Sequence, residues 1–196
     1  MPPASPLTAL VLLALICTPL QAKACAVPAD SALSADDAAR LDNAQTTRLR
    51  AMGEALMAES AADRAALSAL FAPGGEDLTT IPDGKYRCRT LKLGGMLPLT
   101  VYGYFECVIS DGGTRIEKLT GSQRFTGTLT STDDGLTYIG ALHYGDEAPQ
   151  AYGADAERNQ VGCLYHVTGL APLYRLEMPE PYFESRLDVI ELVSKR

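Results

Sequence analysis

The 196 residues predict an α+β chain: an N-terminal helical hairpin followed by an antiparallel, mostly up-and-down, eight-stranded β-barrel-like domain. Two observations carry that expectation. Apolar residues recur at helical spacing between Ser34 and Phe71, and from Ile81 onward the period drops to two, in short runs separated by Gly, Asp and Pro clusters. The expected divisions are residues 1–24, a targeting signal; 25–76, a helical segment; and 77–196, the β domain.

The first division is not expected to belong to the fold. An apolar run from Leu7 to Leu20 leads into Gln21-Ala22-Lys23-Ala24-Cys25, the form of an export signal cleaved after Ala24. The run is shorter than the roughly 20 residues a spanning helix needs. The mature chain is thus expected to be periplasmic or secreted, without a transmembrane helix, in an oxidising compartment. A lipid anchor on Cys25 is the competing fate. Lys23 and Ala22 argue against it, because such signals usually carry a small uncharged residue and Leu at those positions.

Ser34-Ala35-Asp36-Asp37 has the pattern of a capping box, with two acids at the positive end of a helix. Leu41, Leu49, Met52 and Leu56, with Ala44, Ala51 and Ala55 between them, then give an apolar stripe through Ala58, weakened only at Gly53. Ser60-Ala61-Ala62-Asp63 repeats the cap. Leu67, Leu70 and Phe71 supply the buried face of a shorter helix that ends at Pro73-Gly74-Gly75.

Eight strands are expected near Lys85–Leu93, Leu99–Ile109, Thr114–Thr120, Arg124–Ser131, Leu136–Tyr144, Gln160–Thr168, Leu173–Met178 and Arg186–Val193. Asp111-Gly112-Gly113 and Asp133-Asp134-Gly135 read as hairpin turns. Strands in simple order close into a small barrel, lipocalin-like in general architecture, that holds side chains or one ligand; a half-open sheet covered by the helices is the alternative. The longest connection, Gly145 to Asn159, carries Asp146, Glu147, Asp155 and Glu157 and reads as a lid, a partner-binding edge or a solvated loop.

Lys and Arg number 17 against 24 Asp and Glu, a net charge of -7 with no basic block, which excludes nucleic acid and anionic lipid surfaces as natural partners. No cofactor or metal is indicated. The two histidines, His143 and His166, stand in no HExxH or paired HxH spacing, and Cys163-x-x-His166 places its side chains on opposite faces of a strand. P-loop, GxGxxG, GxSxG and SxxK patterns are lacking.

The most suggestive polar feature is a basic stripe. Alternation puts Lys85, Arg87 and Arg89 on one strand face and Tyr86, Cys88 and Thr90 on the other, so the arginines point away from Cys88 and do not activate it as a nucleophile. Facing inward, Arg87 and Arg89, joined by Arg124 of Ser122-Gln123-Arg124, would grip a carboxylate or phosphate. Facing outward, they would pair with Glu106, Glu117, Asp188 or Glu191 on adjacent strands. Tyr102 and Tyr104 share a face of the next strand and suit either a pocket wall or an exposed surface. The candidate ligand-binding set is Arg87, Arg89, Tyr102, Tyr104, Ser122, Gln123 and Arg124.

Four motifs of the β half carry a resemblance: Gly84-x-Tyr86-Arg87-Cys88-Arg89-Thr90-x-Lys92-Leu93-Gly94, Tyr104-Phe105-x-Cys107, Gly121-Ser122-Gln123-Arg124, and Phe183-Glu184-Ser185-x-Leu187-Asp188-Val189-Ile190-Glu191-Leu192. Together they resemble an uncharacterised family of bacterial exported proteins, domain of unknown function 4893. The resemblance implies no activity. The family shares both Cys88 and Cys107, natural bridge partners in an oxidising compartment if a wide loop over about Gly94 to Val101 brings them together; two buried thiols are the alternative. Cys163 lies outside the motifs and is expected either to be free and buried or to reach Cys25.

Three functional readings follow. The first is a non-catalytic binding module holding a small anionic or amphipathic ligand in the barrel mouth. The second is an envelope protein that binds or inhibits a protein partner through an exposed Leu41, Met52 or Leu56 stripe. The third is a hydrolase centred on His143 or His166 with Ser122, Asp146 or Glu147 in reach.

Overall fold

A computed structural model describes residues 25–169 and 173–195; the expected export signal lies outside them. Three helices, α1 (Ala35–Asp42), α2 (Ala44–Ala55) and α3 (Ala61–Phe71), precede ten strands: β1 (Glu76–Asp77), β2 (Gly84–Leu93), β3 (Leu99–Val101), β4 (Phe105–Ser110), β5 (Arg115–Lys118), β6 (Gln123–Thr132), β7 (Gly135–Tyr144), β8 (Asn159–His166), β9 (Leu173–Pro179) and β10 (Leu187–Ser194). Strands β2, β4, β5, β6, β7, β8, β9 and β10 each pair antiparallel with the next, and β10 pairs back onto β2, Leu187 opposite Leu93 and Ser194 opposite Tyr86. The expected α+β chain with a closed, up-and-down, eight-stranded barrel is therefore formed. Short strands β3 and β1 add to the edges of β2 and β8.

The lower barrel is filled. Tyr86, Cys88, Ile109, Ile116, Phe125 and Leu176 belong to one buried cluster, and Ile81 enters it from the segment that precedes β2. That segment closes the far end: Tyr86 donates its hydroxyl to Pro82 O at 2.8 Å, and the Asp83 carboxylate accepts the Gly112 and Gly113 N–H groups of the β4–β5 turn at 3.0 and 2.6 Å. Gly113 has φ +85, and a Cβ there would overlap the Ile81 carbonyl oxygen, so only glycine fits this turn.

The expected first helix is two. At Asn43, φ -92 and ψ 3 break the run while the Asn43 side chain donates back to Ala39 O at 2.8 Å. The turn lets α1 and α2 address different strands. Leu41 of α1, only 1% exposed, packs with Val161, Cys163 and Tyr165 of β8. Ser34 caps α1 through its hydroxyl, which accepts from Asp37 N–H. The Asp37 carboxylate accepts from Tyr152 Oη (2.5 Å), Asn159 Nδ2 (3.0 Å), Ser34 Oγ (2.8 Å) and Arg40 Nη1 (2.7 Å). Burial pushes this carboxyl up, but those hydrogen bonds outweigh it and hold the group below the ordinary carboxylate range. The Gly145–Asn159 connection is fastened to α1 in this way.

Helix α2 corrects a second expectation. Its barrel-facing side consists of Thr47, Ala51 and Ala55, which with α3 residues Leu67 and Leu70 cover Leu91, Leu93 and Val189 on the outer wall. Small side chains allow close approach, which turns Leu49 and Leu56 to solvent at 66% and 64% exposure. The stripe of Leu41, Met52 and Leu56 does not form, because Leu41 is buried and Met52 packs on the α2–α3 cluster. A charged network welds the helices down. Glu177 takes Arg175 Nε at 2.6 Å and Arg48 Nε at 2.5 Å, Arg48 also reaches Tyr165 Oη at 2.9 Å, and Arg175 Nη1 donates to Leu70 O at 2.7 Å.

Candidate functional site

The open end of the barrel is polar where the far end is apolar. Inward-facing positions of β2 run Tyr86, Cys88, Thr90, Lys92, so the face that contributes core at the bottom delivers a lysine at the top. The same alternation takes β5 from Ile116 to Lys118 and, read upward, β10 from Leu192 through Ile190 to Asp188. The upper members of these rows, Thr90, Lys92, Lys118, Ile190 and Asp188, with Tyr102, Phe105, Gln123 and Gln160, line a cavity of about 120 Å³ open to solvent.

Its charges are unevenly paired. Lys92 bonds Glu184 and donates to Gln123 Oε1 at 3.0 Å, directly across from Asp188 in register. Burial works against its charge, but Asp188 and Glu184 outweigh burial and hold the lysine up. Asp188, buried and hydrogen-bonded by Ser185 Oγ at 2.5 Å, is pushed up by desolvation despite the nearby lysines. Lys118 has no carboxylate partner among the described residues. Its ammonium donates to Gln123 O at 2.8 Å and lies 4.1 Å from the centre of the Phe105 ring. Burial, then the positive charge of Lys92 and the weaker one of Arg124, push it down to about 8 against the opposing pull of Asp188.

The seven residues singled out from the sequence divide between two surfaces. Tyr102, Ser122, Gln123 and Arg124 border the cavity. Arg124 pairs in register with His143, and its guanidinium is held above the rim by Gly121 O at 3.0 Å. Arg87, Arg89 and Tyr104 lie on the outer wall: both guanidinium groups stack over the Tyr104 ring, at 4.4 and 5.0 Å, and Arg89 and Tyr104 bond Glu191. Arg87 and Arg89 of the basic stripe thus face outward, Arg87 held by the Tyr104 ring and Arg89 by that ring and Glu191.

Lys92, Lys118 and Gln160 were not singled out from the sequence, although a signal existed, and Asp188, expected as an outward partner of the basic stripe, lies inside opposite Lys92. Continuing the Tyr86, Cys88, Thr90 alternation by one step places Lys92 inside, and the Ile116 parity does the same for Lys118. Gln160 needed three dimensions: its Oε1 accepts from the buried Tyr138 hydroxyl at 3.3 Å, which leaves its amide N–H groups available to the cavity.

Neither histidine reaches this site. His143 sits on the face opposite the cavity-lining Leu142, its Nδ1 3.1 Å from Tyr144 O, and His166 lies at the closed end beside Glu76 at 3.5 Å. The arrangement needed for the hydrolase reading is therefore not assembled around Ser122. Among the described residues, no group of three or more His, Cys, Asp or Glu is placed to hold a metal, and no helix is long and apolar enough to cross a membrane.

Two disulfides brace the wall. Cys88 joins Cys107 across β2 and β4, with Cα atoms 5.8 Å apart, and Cys25 joins Cys163 on the outside of β8 at 5.4 Å. The second bridge occupies the sulfur that a lipid anchor on Cys25 would need.

The rim loops are held by each other and by α2. Met96 N–H donates to Glu184 O at 3.0 Å, and Glu54 of α2 accepts Gly95 N–H at 3.0 Å while pairing with Arg186. The loop from Glu180 to Arg186 holds two non-glycine residues at positive φ, Glu180 at 43 and Glu184 at 71, backbone strain of the sort that collects at functional sites.

The fold and its mouth define a helix-braced, single-mouthed β-barrel with a cationic cavity. The model of one family, Domain of unknown function (DUF4893), matches residues 30–192, and the chain belongs to that family. Comparison with curated proteins and with solved structures gives no match.

Proposed function

We propose that this protein is an exported, non-catalytic binding module whose barrel mouth receives the anionic group of a small ligand. One observation carries the reading: Lys118 is a cavity-lining cation, only 7% exposed, with no carboxylate at ion-pair distance among the described residues. A desolvated charge with no ion-pair partner is costly; the field of Asp188 offsets that cost only in part, and an entering carboxylate or phosphate supplies a direct partner. Lys92, Gln123, Gln160 and Tyr102 add hydrogen-bonding groups around the same space. The two disulfides support an oxidising destination, periplasmic or secreted.

The test is thermal unfolding of the whole protein at neutral pH in acetate, phosphate and sulfate, each at the ionic strength of a chloride control. Binding to the native state raises Tm as the ligand saturates. The expected result is a rise with at least one of these anions that Lys118→Met abolishes. No rise with any of them would sink the reading.

A second reading, docking of an envelope protein on α2, draws support from Leu49 within the helix and Leu56 and Met57 just after it, all three exposed. Pull-down from envelope extract with Leu49→Ser and Leu56→Ser as the comparison variant tests it; equal capture by both forms would remove it.

A further inference from the structure

Six of the eleven large apolar side chains exposed among the described residues stand on the loops at the cavity end of the barrel. Met96 and Leu97 lie on the β2–β3 loop, Leu119 on the β5–β6 loop, and Tyr182 and Phe183 on the β9–β10 loop, with the half-exposed Tyr102 between them. Met96 is 80% exposed and Leu97 61%. Apolar groups gathered on separate loops at one end of a barrel form a patch of the sort that marks a binding surface.

The patch is continuous with the cationic cavity. A second cleft, of about 240 Å³, is walled by Gly94, Met96, Leu97, Thr100 and Glu184, and it shares Lys92 and Tyr102 with the inner cavity. Both shared residues are amphipathic: a lysine stem and a tyrosine ring supply apolar surface next to their polar ends. Lys92 is held in place by Glu184 and Gln123. A molecule entering from the rim therefore passes Met96 and Leu97 and the paired Lys92 and Glu184 before it reaches the unpaired Lys118.

The geometry points to a single-chain anionic amphiphile as the ligand, its head at Lys118 in the inner cavity and its hydrocarbon chain passing between Lys92 and Tyr102 to lie against Met96 and Leu97. This rests on the anion-binding reading of the mouth and adds the tail. A free amphiphile is favoured over an anionic bilayer by charge: the chain carries a net -7, and the rim itself bears Glu54 and Glu184, so a broad negative surface is repelled while one small head reaches the interior cations.

Calorimetric titration of the whole protein with straight-chain carboxylates from butanoate to decanoate, kept below their micelle concentrations, tests the assignment. Affinity is expected to rise about fourfold per added methylene, the ~0.8 kcal/mol of one buried CH₂, until the cleft is filled. The alkanol of equal length is expected to bind at least tenfold more weakly. Met96→Ser combined with Leu97→Ser flattens the chain-length slope; both side chains are exposed, so the fold is not at risk. Lys118→Met removes the preference for acid over alcohol and keeps the slope. Decyl phosphate run beside decanoate tells whether the native head is a phosphate or a carboxylate. Binding of butanoate with no dependence on chain length would overturn the amphiphile while leaving the anion site standing. No binding of any carboxylate or of decyl phosphate would overturn both. Binding only to phosphatidylglycerol vesicles would overturn the amphiphile in favour of a membrane-docking rim.

Discussion

Tyr102 and Tyr104 are two residues apart in the chain and lie on opposite faces of the barrel wall. Tyr102 lines the cavity, whereas Tyr104 stacks outside beneath Arg87 and Arg89. A regular strand would put them on the same side. The reversal arises because Leu91 pairs with Val101 but Cys88 pairs with Phe105, so β2 runs three residues where its partner runs four. The extra residue is a bulge in the Tyr102–Tyr104 segment, and a one-residue slip exchanges the faces of everything after it. The same slip turns Phe105 inward against Lys118 and sets Cys107 beside Cys88.

Lys118 makes the mouth sensitive to pH. Its amine is pushed down to about 8 from an ordinary 10.5, so between those values the unfolded chain holds a proton that the native protein has released, and native stability rises with pH through that window. Below pH 8 the lysine is charged in both states and the full penalty stands. Lys118→Met is therefore expected to stabilise the protein at pH 7 by roughly 1–3 kcal/mol and to abolish the rise between pH 8 and 10.5, as read by urea unfolding. Equal stability of variant and wild type across that range would contradict the assignment. A bound anion should also draw a proton onto Lys118 near pH 8.5, visible as a buffer-dependent binding enthalpy.

Removing the Glu177 carboxylate should be among the most damaging single changes. It leaves Arg175, itself 4% exposed, and Arg48 without their shared partner beneath α2 and α3. A loss of about 3–5 kcal/mol is expected for Glu177→Ala, measured by urea unfolding. Loss below 1 kcal/mol would mean that the helices do not depend on this network.

The two disulfides should differ in weight. Cys25–Cys163 spans 138 residues and Cys88–Cys107 spans 19, so restriction of the unfolded chain predicts contributions of about 5 and 3 kcal/mol respectively. Paired Cys→Ala replacements, each followed by denaturant unfolding, give the comparison, and the reverse ranking would refute the entropic account. Intact mass before and after reduction should show four hydrogens gained, two per bridge.

Gly140→Ala is expected to cost at least about 2 kcal/mol. The Tyr138 ring lies across the Gly127–Gly140 pair of β6 and β7, and a Cβ on Gly140 would overlap the Thr126 carbonyl and the Tyr138 hydroxyl. Because that hydroxyl also holds Gln160, ligand affinity should fall with stability. Unchanged melting of the variant would show that the ring can move aside.

Much of this fold was legible from alternation alone, since seven of the eight wall strands start and end within a few residues of their apolar and Gly-bounded runs; the run expected as one strand over Leu99–Ile109 divides into the short β3 and the wall strand β4, which begins only at Phe105. The bulge was not, because Tyr-Gly-Tyr continues a plausible alternation and nothing local marks the extra residue. Helix α2 misled for a different reason. Leucines and alanines both fit an apolar stripe, and the choice of face was made by how closely the helix approaches β2 and β10, a tertiary effect that favours Ala51 and Ala55. Asp37 read as an N-terminal acid of its helix, and it is one, but its bonds to Tyr152 and Asn159 bridge more than a hundred residues that no local pattern connects.

The outer bridge closes the chain into a covalent ring from Cys25 to Cys163, with the smaller Cys88–Cys107 ring nested inside it. A protease that cuts one exposed loop within that span, in the helices or at a barrel turn, leaves both pieces joined, and the cut ends stay tethered beside the strands from which they came. Such a nick separates the fragments only after reduction, so in an oxidising surrounding the molecule outlasts a single cleavage of its backbone.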